Sequence, residues 1–260
     1  MKKMLLKHHQ KGYFILFVFA SMFLYLSLSG CLKEQNRRDI RGFYFPLEKL
    51  TEGKVYVYAS VGNAGADRIY WYHRSFLNGE KKIFSSTFYE NYLAPLQHVQ
   101  EEVVRNGLLL KSLFIYDLPD ETRGYKQQRT DVKIVAGNSF PFEVRDSFGI
   151  FLYHIQWKAK EKDVASYRLI KNRRFIGDTI FTWNKQEVPA IFFRVREKIE
   201  AEKEGITGQL FEGLEIYAKG MGLVYYEKQI SKEVKVAYRL VKQMSMESLE
   251  KKWEKEKMSD

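Results

Sequence analysis

Cysteine is all but missing from this chain of 260 residues: the single thiol is Cys31, so no intramolecular disulfide can form and the fold must rest on an ordinary core. Histidine is scarce too, and beyond the first thirty residues only His73, His98 and His154 occur, far apart in sequence. Zinc hydrolysis needs clustered His, Cys or carboxylate ligands, which this spacing does not supply. No Gly-x-Ser-x-Gly elbow, no phosphate-cradling loop ending in Lys-Ser or Lys-Thr and no His-Glu-x-x-His helix is present. Gly220-Met221-Gly222 is a bare Gly-x-Gly that a turn or bulge explains. The acids Asp117, Asp120 and Glu121 around Pro119 lack the spaced oxygen ligands of an EF-hand and read as a β-turn. The expectation is a protein without a metal, a cofactor or an assignable catalytic residue, and not an enzyme.

What is present begins with an address. The first dozen residues carry Lys2, Lys3, Lys7 and Lys11 and no acid, and an uncharged apolar stretch from Tyr13 to Gly30 follows, as in a secretory signal. At its end stands Leu28-Ser29-Gly30-Cys31. This tetrapeptide and its leader resemble a bacterial lipoprotein signal peptide. The resemblance implies that Leu28, Ser29 and Gly30 form the processing site and that Cys31 is acylated, as by palmitate, and becomes the first mature residue. The alternative is an uncleaved anchor, because about 18 apolar residues just span a bilayer. An intracellular protein with a buried apolar helix conflicts with the polar break Lys33-Glu34-Gln35-Asn36-Arg37-Arg38. Both of the first two readings export the domain to the cell envelope. Leu32 is not the aspartate that retains many enteric lipoproteins at the inner membrane, so the outer membrane is favoured.

The formal net charge is +11, and the leader's four lysines account for four of these charges, which leaves +7 on the side chains from Cys31 onward. Beside a membrane, such a balance favours anionic headgroups or acidic glycans. Export excludes nucleic acid as a partner. The densest basic run in the middle of the chain, Lys171-Asn172-Arg173-Arg174, reads as a solvated loop or strand end.

Residues 1–30 are therefore assigned to the signal peptide, 31–42 to a polar tether, 43–245 to a single β domain and 246–260 to a helical or frayed tail. From Phe43 onward, aromatic and β-branched residues punctuated by glycine give strand composition. Several runs alternate with period two. In 190–200, Ile191, Phe193, Val195 and Ile199 share one parity, while Arg194, Arg196, Lys198 and Glu200 share the other. Asn78-Gly79 and Asn106-Gly107 sit between such runs and suit type I′ hairpin turns. Strands are expected near 54–60, 68–77, 82–89, 96–105, 108–117, 129–136, 148–158, 164–175, 179–183, 188–203, 209–219, 222–231 and 233–244. The fold class is all-β: a large antiparallel meander forming a curved sheet or half-barrel, with a short C-terminal helix. In that helix Leu249 and Trp253, four apart, could dock on the sheet.

Aromatic residues, 15% of the chain, are the positive anomaly. From Tyr56 and Tyr58 through Trp71, Phe84 and Tyr153 to Tyr226, they could line a concave sheet that holds an acyl chain or stacks on sugars, or they could pack the core. Tyr70, Tyr72, Trp157, Phe193 and Tyr225 are the expected ligand groove. The segment Ile216-Tyr217-Ala218-Lys219-Gly220-Met221-Gly222-Leu223-Val224-Tyr225-Tyr226-Glu227 resembles strand-turn-strand segments of uncharacterised envelope lipoproteins, which look like the curved sheets of the outer-membrane lipoprotein carrier and receptor superfamily. That resemblance implies a non-enzymatic, lipid-anchored protein that binds a lipid or other amphiphile. Two further readings stand beside it: a structural component of an envelope assembly held by a protein partner, and an envelope-polymer hydrolase.

Overall fold

The computed structural model describes residues 37–62, 68–89, 94–116, 127–145, 151–158, 166–202 and 204–258. The leader, Leu28, Ser29, Gly30 and Cys31 lie outside the described residues, as do Asp117, Asp120 and Glu121. Arg38–Asp260 form one compact unit.

Twelve antiparallel strands in chain order build that unit: β2 (Lys54–Ser60), β3 (Arg68–Asn78), β4 (Lys81–Tyr89), β5 (Pro95–Val104), β6 (Gly107–Tyr116), β8 (Lys133–Pro141), β10 (Phe151–Lys158), β11 (Ser166–Trp183), β12 (Gln186–Glu202), β13 (Ile206–Ala218), β14 (Gly222–Gln229) and β15 (Lys235–Met244). Each pairs with its neighbour in this order, β15 pairs with β2, and β5 pairs with β6. The meander therefore closes on itself, and closure removes the unpaired edges that an open sheet would expose. Three short strands complete the sheets: β7 (Arg129–Asp131) extends β6, while β1 (Arg37–Asp39) and β9 (Glu143–Arg145) form a separate ladder.

The all-β class, the meander and the C-terminal helix agree with the sequence reading. Two expected strands, 164–175 and 179–183, are one: β11 runs on through a register shift between Phe175 and Gly177. Ile176 is the extra, unpaired residue of a bulge there, and the strand runs on through it. Expected strand 129–136 is two pieces, β7 and β8, and β8 continues to Pro141. The β11–β12 hairpin turns on Asn184 and Lys185, both at positive φ (49° and 66°), the signature of a type I′ turn that the sequence does not advertise with glycine.

The segment assigned to a polar tether is partly docked. Ile40 is wholly buried and its N–H donates to the Phe142 carbonyl at 2.8 Å. The following residues, Arg41 to Leu50, enter the barrel end bounded by the β3–β4, β11–β12 and β13–β14 hairpins. Phe45 packs on Gly222, whose φ of +88° and lack of a Cβ admit the ring; a methyl there would meet it at 2.5 Å. The Gly220 N–H donates to the Gly42 carbonyl, and Ser75 N–H to that of Leu50. This segment is an internal plug, and it was missed because its apolar side chains, Ile40, Phe43, Tyr44, Phe45, Leu47 and Leu50, follow neither a strand nor a helix period.

Helix α1 (Met246–Lys257) is capped by Ser245, whose hydroxyl accepts from Ser248 N–H at 3.2 Å. Leu249 (0% exposed) and Trp253 (7%) bury against Val55, Val57 and Tyr70 on the outer face of β2 and β3, so the tail docks and is not frayed.

Candidate functional site

Strand alternation sends one set of side chains inward, and a cavity of about 380 Å³ remains among them. Toward the plug its wall is polar: Glu101, Ser139, Arg173, Glu215, Tyr44 and Tyr217. Away from the plug the wall becomes mainly apolar, with Val99 on β5, Leu113 and Ile115 on β6, Ile155 and Trp157 on β10, and Leu169 on β11, joined by Gln97 on β5. Trp71, Phe84 and Tyr58 cover the side formed by β2 to β4. The cavity is thus amphipathic along its length.

The polar end is an ion network. Arg173 donates through Nε to Glu215 Oε2 at 2.7 Å and through Nη1 to the Ser139 carbonyl at 2.9 Å. Lys171 Nζ lies 2.6 Å from Glu215 Oε1, and the Tyr217 hydroxyl donates to Oε2 at 3.0 Å. Lys228 pairs with Glu197. Burial alone would raise the Glu215 carboxyl, but the charges and hydrogen bonds of Arg173 and Lys171 outweigh it and hold it well below the usual carboxylate range. Glu101 is the opposite case. Burial pushes its carboxyl up, against the hydroxyls of Ser139 and Tyr44 and the charge of Arg173. Tyr44 donates to it at 3.0 Å, and burial raises the Tyr44 and Tyr217 phenols well above their ordinary value.

His73 faces the same interior. Its Nδ1 lies 2.8 Å from Ser86 Oγ, its Nε2 has no partner, and burial among Phe45, Tyr56 and Phe84 lowers its pKa to about 3. The other two histidines fall on the opposite parity: His98 bonds Thr87 at 2.9 Å and stacks on Phe114, and His154 stands between the inward Tyr153 and Ile155. The three do not converge.

The five residues expected to form the groove are not brought together. Trp157 lines the cavity and stacks on Tyr167 at 5.4 Å. Phe193 is inside the barrel but in solid core, against Phe140, Phe175 and Tyr217. Tyr70 and Tyr72 face outward, Tyr70 beneath Trp253 with the two rings edge-to-face at 5.3 Å. Tyr225 also faces outward, its hydroxyl on Glu227 at 2.5 Å, because the register shift between Ile216 and Tyr217 reverses parity along β14. Lys171 and Arg173, expected in a solvated basic run, are inward ion-pair partners.

The polar residues of the cavity had a signal. Glu197 falls on the apolar parity of β12 between Val195 and Ile199, and Glu215 shares parity with Phe211 and Tyr217. Lys171 and Arg173 lie between Leu169 and Phe175 at the same spacing. A charge on the apolar parity of a strand marks a polar barrel interior.

No family model and no curated relative matches the chain. Among solved structures, the chain is similar to a candidate lipoprotein from Parabacteroides distasonis ATCC 8503, with 13% identity over 76% of this chain and 95% of that one and a TM-score of 0.41.

Proposed function

We propose that this chain is a lipid-anchored protein of the cell envelope, without enzymatic activity, whose barrel holds a lipid or other amphiphile. The observation that carries the reading is the cavity: about 380 Å³, inside the range of small-ligand sites, apolar and aromatic along one stretch and polar at its plugged end. Such a gradient matches a molecule with one apolar chain and one polar head, and the volume suits one chain better than two. The anchor rests on the leader and on Leu28-Ser29-Gly30-Cys31, with the outer membrane favoured by Leu32.

Intact mass spectrometry of protein extracted gently from native membranes tests both halves. The expected result is a covalent mass that begins at Cys31 and carries acyl chains, lost in Cys31→Ser, with a further non-covalent amphiphile released on denaturation. An unacylated, uncleaved chain overturns the anchor; an empty barrel in every preparation overturns the ligand.

The outer wall favours a second reading, docking on an envelope protein. Ile176 and Leu210 are exposed there, 41% and 60%, beside Phe192 and Leu214 on β11 to β13. A stable stoichiometric partner released by Leu210→Glu would support it.

A further inference from the structure

The charges at the cavity's polar end are equal in number among the described residues, three cations and three carboxylates, but unevenly engaged: Glu215 holds two cations directly and Glu101 none. Granted that the barrel interior is the binding site, that unevenness names the ligand's head. Each cation near the cavity's polar end is engaged by a carboxylate: Arg173 and Lys171 by Glu215, and Lys228 by Glu197. Glu101 is a carboxyl of the same wall, 8% exposed, with no ion pair to Lys or Arg among the described residues. Its contacts are hydroxyl and ring. Tyr44 donates to Oε2, and Phe84 stands directly across from it in the β4–β5 register, with Tyr44 packed edge-on against Phe84 at 5.5 Å.

An incoming anion would have to draw Arg173 or Lys171 away from Glu215, and so weaken an ion pair already made. An incoming ammonium displaces no ion pair: it gives Glu101, which now feels the charge of Arg173 only at a distance, a direct partner, and aromatic faces attract it. A neutral hydroxyl would gain a hydrogen bond but leave the pairing incomplete. From Glu101, the cavity wall away from the plug runs through Val99, Leu113, Ile155 and Leu169 to Trp157, a mainly apolar path in which Gln97 is the polar side chain of β5.

We propose that the barrel selects an amphiphile with an ammonium head on a single apolar chain, the head seated against Glu101 between Tyr44 and Phe84 and the chain directed toward Trp157.

The test uses three probes with one tail and three heads: dodecylamine, dodecanol and dodecanoate. Each is titrated near neutral pH into delipidated protein, read by tryptophan fluorescence and by native mass spectrometry. An alkylamine stays protonated there, since amines of this kind titrate near 10.4. The expected result is binding of dodecylamine about tenfold or more tighter than dodecanol, a difference of about 1.4 kcal/mol. E101Q is expected to abolish that preference, whereas Glu101→Asp retains part of it. Tighter binding of dodecanoate, equal binding of all three probes, or a preference that survives in E101Q overturns the ammonium assignment while leaving the cavity as a binding site. Binding of none of them overturns the amphiphile reading itself. The wild-type series decides head selectivity even if E101Q does not fold.

Discussion

His73 carries a pH signature at the scale of one side chain. Burial holds its folded pKa at about 3 against 6.5 for the free group, so between those values the unfolded chain binds a proton that the folded chain refuses. Stability from this residue is full above about 6.5 and is lost as pH falls toward 3. In His73→Phe, whose ring suits a site already formed by Phe45, Tyr56 and Phe84, the melting temperature is expected to depend less on pH across that window; thermal melts at a series of pH values check it. Arg173 behaves differently because its partner is charged. Arg173→Met leaves Glu215 buried with Lys171 as its remaining cation, so the expected cost lies below the about 3–5 kcal/mol of a wholly uncompensated buried charge. Replacing both, Arg173→Met with Glu215→Met, is expected to recover most of that loss, which chemical denaturation would register as a midpoint returning toward wild type. If the double variant is no better than the single, the cost lies in packing and not in charge.

Helix α1 is the element whose role the sequence leaves most open. Its heavily charged composition suits a solvated end, yet Leu249 and Trp253 cover Val55, Val57 and Tyr70, which would otherwise stand in water on the outer face of β2 and β3. Trp253 also meets Tyr89 at 6.1 Å, and Lys252 Nζ donates to the Tyr70 hydroxyl at 2.8 Å. Removing a buried tryptophan side chain costs about 3 kcal/mol or more. That exceeds what a helix of twelve residues can hold by itself in water. Trp253→Ala is therefore expected to release α1 while the barrel's own melt persists, seen as lost helical signal in circular dichroism with strand signal retained. A single cooperative collapse would instead make α1 part of the barrel's cooperative unit.

At the scale of the whole molecule, closure and the plug create the cavity. An open half-barrel would present its inner face to water and would not need Glu101, Glu197 and Glu215 to be paired or hydrogen-bonded so thoroughly. In the closed barrel these groups face a space of about 380 Å³ bounded by the plug at one end, where every interaction among them is strengthened by the low polarity around it. Filling that space separates binding from folding. Leu169→Trp adds bulk where the wall is apolar, and it is expected to weaken amphiphile binding about tenfold or more without lowering the melting temperature, since the added surface fills a void instead of overpacking a core. Paired titration and melting measurements decide this, and unchanged affinity would place the ligand elsewhere.

Period-two alternation, Asn-Gly turns and aromatic and β-branched composition are local, and they were enough to identify the all-β class, the chain-order meander and the terminal helix. Asn78-Gly79 did mark the β3–β4 hairpin, and the apolar parity of β12 did mark the inner face. Which aromatics share a cavity is not local. It depends on register shifts such as that at Ile216/Tyr217, which exchanges inner and outer faces along β14. Tyr225 was misplaced for that reason, and Tyr70 and Tyr72 because two-sided burial under α1 looks the same in sequence as an inner face. The pairing of Glu101 with Tyr44, 57 residues apart, and of Arg173 with Glu215, 42 apart, arises only when the sheet closes and the plug enters it. Sequence determined most of the strands and the alternation along them, because side-chain periodicity is set by backbone geometry; the tertiary structure decided which face turns inward past a bulge and which residues share the site, because closure brings together residues that share no local signal.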